Sequence, residues 1–423
     1  MKKTLLSILL ICFSIQGFSQ FSNYFENKTL RIDYFHSGNF IHEYYRLDEL
    51  IEKNVWAGSK VNLIDTFDYG KFRIMMYDTA SGILIYSRAY SSLFAEWRTT
   101  NEGKGSCGNF SETVLIPYPK NVVKLVFQSR DSLNNWQNVE NMIIDLKKDF
   151  ILKPKQNKFE INALHFSGES SEKLDIAIIA DGYTINEIDK MKKDFEKFNN
   201  YILKANPFNE NANKINIWGV AAISAQSGIT DPIDTFNVKT AVGCSFNTIN
   251  SDRYLMTLEN KTLHDALTNV AYDQIIIMCN TEKYGGGGIY NFYCTAAAGN
   301  AVANFLIQHE FGHAFAGLGD EYYTSEVSVE DFYPLTVEPW EPNITTLVNF
   351  EGKWKNMLNK FTPIPTPATE ENKKIIGVYE GGGYMSKGVY RPYIDCTMKS
   401  VKYNAYCPVC KRATQWMIDF YTK

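Results

Sequence analysis

The chain has 423 residues, 45% of them hydrophobic and 21% charged, with a formal net charge of -4. The composition is that of a globular protein and excludes a low-complexity disordered chain, while the length exceeds what one compact core usually holds, so two or more domains are expected. No basic surplus exists to neutralise phosphates, which argues against nucleic acid as a partner.

The first residues read as a targeting segment. Lys2 and Lys3 precede an apolar run from Leu5 to Ile15, which is too short to span a bilayer with margin. Gly17-Phe18-Ser19 then offers small residues where a signal peptidase reads, so a signal peptide over 1–19 and a secreted, periplasmic or cell-envelope location are expected. No later stretch approaches 18 apolar residues, so no transmembrane segment is expected after signal cleavage.

Residues 20–150 alternate apolar and polar positions in short runs, such as Thr29 to Phe35, Lys71 to Tyr77, Val114 to Pro117 and Val122 to Phe127. Turn signals such as Ser37-Gly38-Asn39 and Ser81-Gly82 separate them, which predicts an antiparallel β-sandwich serving as an accessory domain. A polar linker with Pro154 follows, from Lys147 to Lys158. Beyond it the pattern changes. Leu174 to Ala180 is an apolar strand, Ile188 to Leu203 carries Met191, Phe195 and Phe198 at helical spacing, and Ile215 to Ile223 and Gln274 to Cys279 read as buried strands. Strands alternating with helices predict an α/β domain over 151–423, and the whole chain an α+β multidomain protein. Residues 325–375, rich in Pro, Thr and Glu, read as a surface excursion.

The chemistry-bearing run is His309-Glu310-Phe311-Gly312-His313, two of the chain's six histidines. On a helix, His at i and i+4 share a face and can reach one metal ion, and a Glu just after the first His can reach a water on that ion. Ala301 to Gln308 favours a helix, and Gly317 and Gly319 provide a stop. A catalytic zinc takes three protein ligands and leaves a position for water. After the turn, Asp320 is taken as the third ligand, with Glu321 as its rival. Zn2+ held by His309, His313 and Asp320, with Glu310 as general base, describes a hydrolase acting on peptide bonds.

The run His309 to Tyr322 resembles the IgA peptidase family within the metzincin-like zinc peptidases, as do Ile179-Ala180-Asp181-Gly182-Tyr183 and Tyr284-Gly285-Gly286-Gly287-Gly288. The usual metzincin glycine and third ligand fall one residue earlier, at positions occupied here by Ala316 and Gly319. The resemblance implies a metzincin-like catalytic domain and a protein or peptide substrate, with a host glycoprotein or immunoglobulin among the candidates. It also implies a Met-containing turn beneath the zinc, for which Met398 is preferred to Met385. Gly285 to Gly288 reads as a flexible turn into an edge strand able to pair with an extended peptide. Tyr390, Arg391, Tyr403 and Tyr406 are the candidates for the oxyanion donor. The competing class is a non-catalytic envelope binding protein that keeps a peptidase fold.

The chain has eight cysteines, and Cys12 in the leader leaves seven. Cys396, Cys407 and Cys410 lie close together, but three ligands are one short of a structural zinc. A disulfide joining Cys396 to Cys407 or to Cys410 is therefore expected, with Cys279 a buried apolar residue.

Overall fold

The structure, a computed structural model, describes residues 20–323, 333–403 and 405–422. The leader expected over 1–19 lies outside the described residues, as does the start of the excursion expected over 325–375.

The front of the chain is sheet-rich. Strands β1 (Phe25–Gly38), β2 (Glu43–Lys53), β3 (Phe72–Asp78), β4 (Leu84–Tyr90), β5 (Gly108–Pro119), β6 (Val123–Arg130), β7 (Trp136–Ile144) and β8 (Ile151–Leu152) form two four-stranded sheets. Their orders are β5-β1-β2-β8 and β4-β3-β6-β7. Leu30, Ile32 and Tyr34 of β1 share one core with Ile74 and Met76 of β3 and Leu125 and Phe127 of β6. The four expected strands fall on β1, β3, β5 and β6, with Lys71 and Val122 one residue ahead of the observed starts of β3 and β6. The expected linker holds β8, which pairs in parallel with Leu50 and Ile51 of β2.

The opposite face of β1 is polar and still buried. Arg31 is 1% exposed and bonds Asp33 through Nε at 2.8 Å and Asp265 through Nη1 at 2.7 Å. That face packs on the second half of the chain, which is why polar residues occupy it: Arg31 reaches across to Asp265, and Asp33 is held by Arg31 and Thr113 on its own side.

The second half is built on one six-stranded sheet of order β15-β16-β14-β10-β11-β9. Its strands are β9 (Glu160–His165), β10 (Leu174–Asp181), β11 (Ile215–Ala221), β14 (Gln274–Cys279), β15 (Gly286–Ile289) and β16 (Tyr293–Ala297), with the small pair β12 (Cys244–Ser245) and β13 (Met256–Thr257) beside it. The four inner strands are parallel, and β9 and β15 run antiparallel at the two edges. Ile176 and Ile178 of β10 pack on one face with the helices Ile188–Lys204, Ala303–Ala316 and Pro408–Thr422, while Ala177 and Ile179 pack on the other with Cys244, Leu255 and Leu263. Cover on both faces explains the unbroken apolar run of β10.

Within the expected surface excursion, residues 359–375 are mostly exposed, but the stretch around 341–354 is anchored inside. Asn343, Ile344, Thr345 and Trp354 are fully buried, and the Trp354 indole N–H donates to the Gly377 carbonyl at 2.7 Å. Their polar surroundings in sequence conceal buried anchors, because a Trp with a bonded N–H and an Asn with both ends satisfied are stable inside. A hairpin of β17 (Tyr379–Gly382) and β18 (Met385–Arg391) follows.

Candidate metal centre

The helix Ala303–Ala316 buries apolar residues on almost every side, among them Leu306, Ile307, Phe311, Ala314 and Phe315. It stops at Gly317, whose φ of 61° is the left-handed cap that glycine adopts without Cβ strain. The chain reverses there. The Leu318 carbonyl meets His313 Nδ1 at 2.5 Å, and Asn343 clasps Gly319 from both sides, at 2.7 and 2.9 Å. The next side chain, Asp320, is thereby delivered under the two histidines.

Three donor atoms converge. His309 Nε2 and His313 Nε2 are 3.1 Å apart, and Asp320 Oδ1 lies 3.1 Å from the first and 3.3 Å from the second. The far nitrogens fix the tautomers. His309 Nδ1 meets the Thr397 carbonyl at 3.0 Å and His313 Nδ1 meets that of Leu318. A carbonyl only accepts, so each Nδ1 carries a hydrogen, and each ring, once neutral, turns its Nε2 lone pair inward. Two imidazole lone pairs and a carboxylate oxygen at one point repel unless a metal ion or a proton lies between them. Asp320 Oδ1, buried without a hydrogen-bond donor, is part of the same unmet demand. Two nitrogens and one oxygen are a donor set that suits zinc, and the residues present fit that ion.

Without a metal, a proton on His313 meets part of that demand. Burial lowers the His313 pKa, but the Asp320 charge outweighs it and holds the ring at about 9. Burial raises that of Asp320, yet His313 and His309 keep its carboxyl well below the usual range. The other Asp320 oxygen accepts from the Tyr384 hydroxyl. Glu310, half-buried on the same helix, has its pKa raised by burial against the pull of His309 and His313.

Glu310 faces the glycine strand. A Cβ on Gly286 would sit 3.0 Å from Glu310 Cγ, and one on Gly288 only 2.1 Å from the Glu310 carbonyl oxygen. These glycines serve close packing of β15 on the helix, and Gly286 to Gly288 are strand, where a flexible turn was expected. Gly286 is also bonded on its outer side, to Arg253 and Leu255. Gly287 is buried as well, and a Cβ there would lie 2.4 Å from the Met256 sulfur and 2.5 Å from the Tyr254 ring.

Met398 lies beneath the helix. Its sulfur is 2.8 Å from where a Cβ on Gly312 would be, whereas Met385 packs with Ile344 and Val389. The Met398 carbonyl accepts the Glu321 N–H at 2.8 Å, so one turn steadies both His309 and the returning chain. Of the expected oxyanion donors, Tyr406 and Arg391 spend donors on backbone carbonyls. The Tyr406 hydroxyl donates to the Gln308 carbonyl, Arg391 bonds the Glu380 and Gly381 carbonyls, Tyr390 pairs through its backbone with Thr345, and Tyr403 is on the surface. The tyrosines at the site are Tyr322, stacked at 6.3 Å on His309, and Tyr384. Glycines 381–383 before Tyr384 were the available sequence signal, since they shape the turn that bonds Gly383 to Asp320 and Tyr384 to Tyr322. Asn343 had no such signal. The expected disulfide is absent too: all seven described cysteines are thiols, with Cys396 Sγ 3.9 Å from Cys410 Sγ.

The sequence matches the family described as IgA Peptidase M64 over residues 162–375 and 368–418. It belongs to this peptidase family. The Peptidase M64 N-terminus description matches residues 20–140, the sheet-rich front of the M64 peptidase. No curated protein matches the chain. Among the described residues of this M64 peptidase, no helix is long and apolar enough to cross a membrane.

Proposed function

We propose that the chain is an exported zinc endopeptidase in which His309, His313 and Asp320 hold the ion and Glu310 is the general base. The observation that carries this reading is the convergence of two Nε2 atoms and Asp320 Oδ1 within 3.3 Å, with both Nδ1 atoms tied to carbonyls. Bound zinc would supply a Lewis acid for water and for the scissile carbonyl. Glu310 accepts the proton lost by the attacking water and returns it to the leaving amine, a task suited to a carboxylate whose pKa burial has raised. β15, an edge strand of the sheet, would orient an extended peptide through backbone hydrogen bonds. Tyr384, whose hydroxyl already bonds Asp320, would turn towards the developing oxyanion.

Residues 151–423 are then a metzincin-like catalytic domain and residues 20–150 an accessory β-sandwich. Lys2, Lys3 and the apolar run to Ile15 support export through a signal peptide over 1–19. A protein or peptide is the substrate, a host glycoprotein or immunoglobulin among the candidates.

The test is cleavage of an unfolded protein by the purified chain before and after a strong chelator. Activity should disappear with the metal and return when zinc is restored. Cleavage that survives complete metal removal would defeat the zinc assignment. Tight metal binding with no cleavage of any protein would favour the binding-protein reading.

A further inference from the structure

Glu321, next to Asp320, points the other way and enters a second group of donors. Its carboxylate and the sulfurs of Cys396, Cys407 and Cys410 lie within 4.8 Å of one another, and all four residues are buried. Cys396 belongs to the turn that holds Met398. Cys407 and Cys410 flank Pro408 and Val409 at the start of the last helix, so their spacing of three puts both sulfurs on one side of it.

We propose that Glu321, Cys396, Cys407 and Cys410 form a second, structural zinc site beneath the first. Three sulfurs were one ligand short, and the fold supplies the fourth from a segment 75 residues before Cys396 (396 − 321). Four protein ligands with no place for water define a closed site, which holds structure and does no chemistry. Cys396 Sγ and Cys410 Sγ are 3.9 Å apart. Sulfurs about 2.3 Å from one tetrahedral ion stand roughly 3.8 Å apart. The Cys407 N–H points at Cys396 Sγ at 3.2 Å, a donor suited to a thiolate.

Glu321 supplies the independent observation. It is fully buried, Oε1 is met by Asn343 at 2.9 Å and by Cys410 Sγ at 3.2 Å, and Oε2 has no hydrogen-bond partner. A cation between this carboxylate and the three sulfurs would satisfy the unbonded oxygen and the thiolates together. A disulfide between any two of the cysteines would leave that oxygen unmet. Thiolate-rich four-coordinate sites favour zinc, and Arg391 and Lys399 lie near enough to feel the Glu321 charge and offset the excess of anions. Because Asp320 and Glu321 are consecutive, an ion on Glu321 would also fix the segment that carries Asp320 to the histidines.

The whole protein, stripped of metal and reloaded with cobalt, provides the test. The histidine site contains no sulfur, so a thiolate-to-cobalt charge-transfer band in the near ultraviolet can arise only from the second site. The wild type should bind two ions per chain and show the band. The His309→Ala/His313→Ala variant should keep one ion and the full band, and Cys407→Ser should lose the band. A fully cobalt-loaded wild type without it would overturn the site, as would unreduced peptide mapping that finds a disulfide among Cys396, Cys407 and Cys410. Because the band is read in the wild type, misfolding of a variant cannot decide the outcome. Failure of the histidine site would lower metal content while leaving the band in place.

Discussion

At the scale of single residues, the site is a set of lone pairs aimed at one point, and pH should show it. Without metal, His313 holds its proton up to about 9, because Asp320 outweighs the effect of burial. A raised histidine pKa means that the ring is charged below that value, so an incoming metal ion must displace a proton. Apparent affinity at the histidine site should therefore climb with pH by up to about tenfold per unit and level off above about 9. Competition against a chelator of known pH dependence checks this, and an affinity that stays flat from neutral pH to 9 would show that His313 is already neutral. His309, Glu310 and His313 were legible in the sequence because helical spacing alone puts them on one face. The choice between Asp320 and Glu321 was not, since consecutive residues leaving a turn point apart and the direction is set by distant partners. Those partners are Leu318 and Asn343 on one side and the Met398 carbonyl on the other.

At the scale of elements, the contact between β15 and the helix Ala303–Ala316 places Glu310 beside the edge where a peptide would lie. Gly288→Ala would drive a methyl to 2.1 Å from a helix carbonyl, a backbone atom that cannot step aside. Gly312→Ala would meet the Met398 sulfur at 2.8 Å, on a side chain that can turn. Gly288→Ala should cost about 3 kcal/mol or more and Gly312→Ala about 1 kcal/mol, measured by denaturant unfolding of the metal-loaded protein. Equal costs would show that the strand yields as readily as a thioether. The glycine run was visible in the sequence, but its reason was not, because backbone approach across 22 residues (310 − 288) leaves no periodicity. The strands of strong alternation were legible. β2 was not, because Glu43-Tyr44-Tyr45-Arg46-Leu47-Asp48-Glu49 exposes most of its side chains and reads as loop.

At the scale of the whole molecule, the sheet-rich front is bound to the second half by buried polar links. Arg31 reaches Asp265, Asn260 Nδ2 donates to Thr113 at 2.8 Å, and the Ser91 N–H bonds the Tyr290 carbonyl at 2.8 Å. Tyr290 follows β15 directly, and Glu96, on the short helix Leu93–Trp97, bonds Tyr254 next to Gly286. The front therefore braces the strand that faces Glu310, a contact illegible in the sequence, where Arg31 and Asp33 look like solvent-facing positions of a strand. Everything in the arrangement leads to Glu310, the one group of the site assigned to move a proton. The most direct measurement is cleavage of an unfolded protein by metal-loaded Glu310→Gln against the wild type at equal metal content. The variant should keep its fold and its metal and lose about a hundredfold to ten-thousandfold in rate. Turnover equal to the wild type, with the metal still bound, would contradict the account.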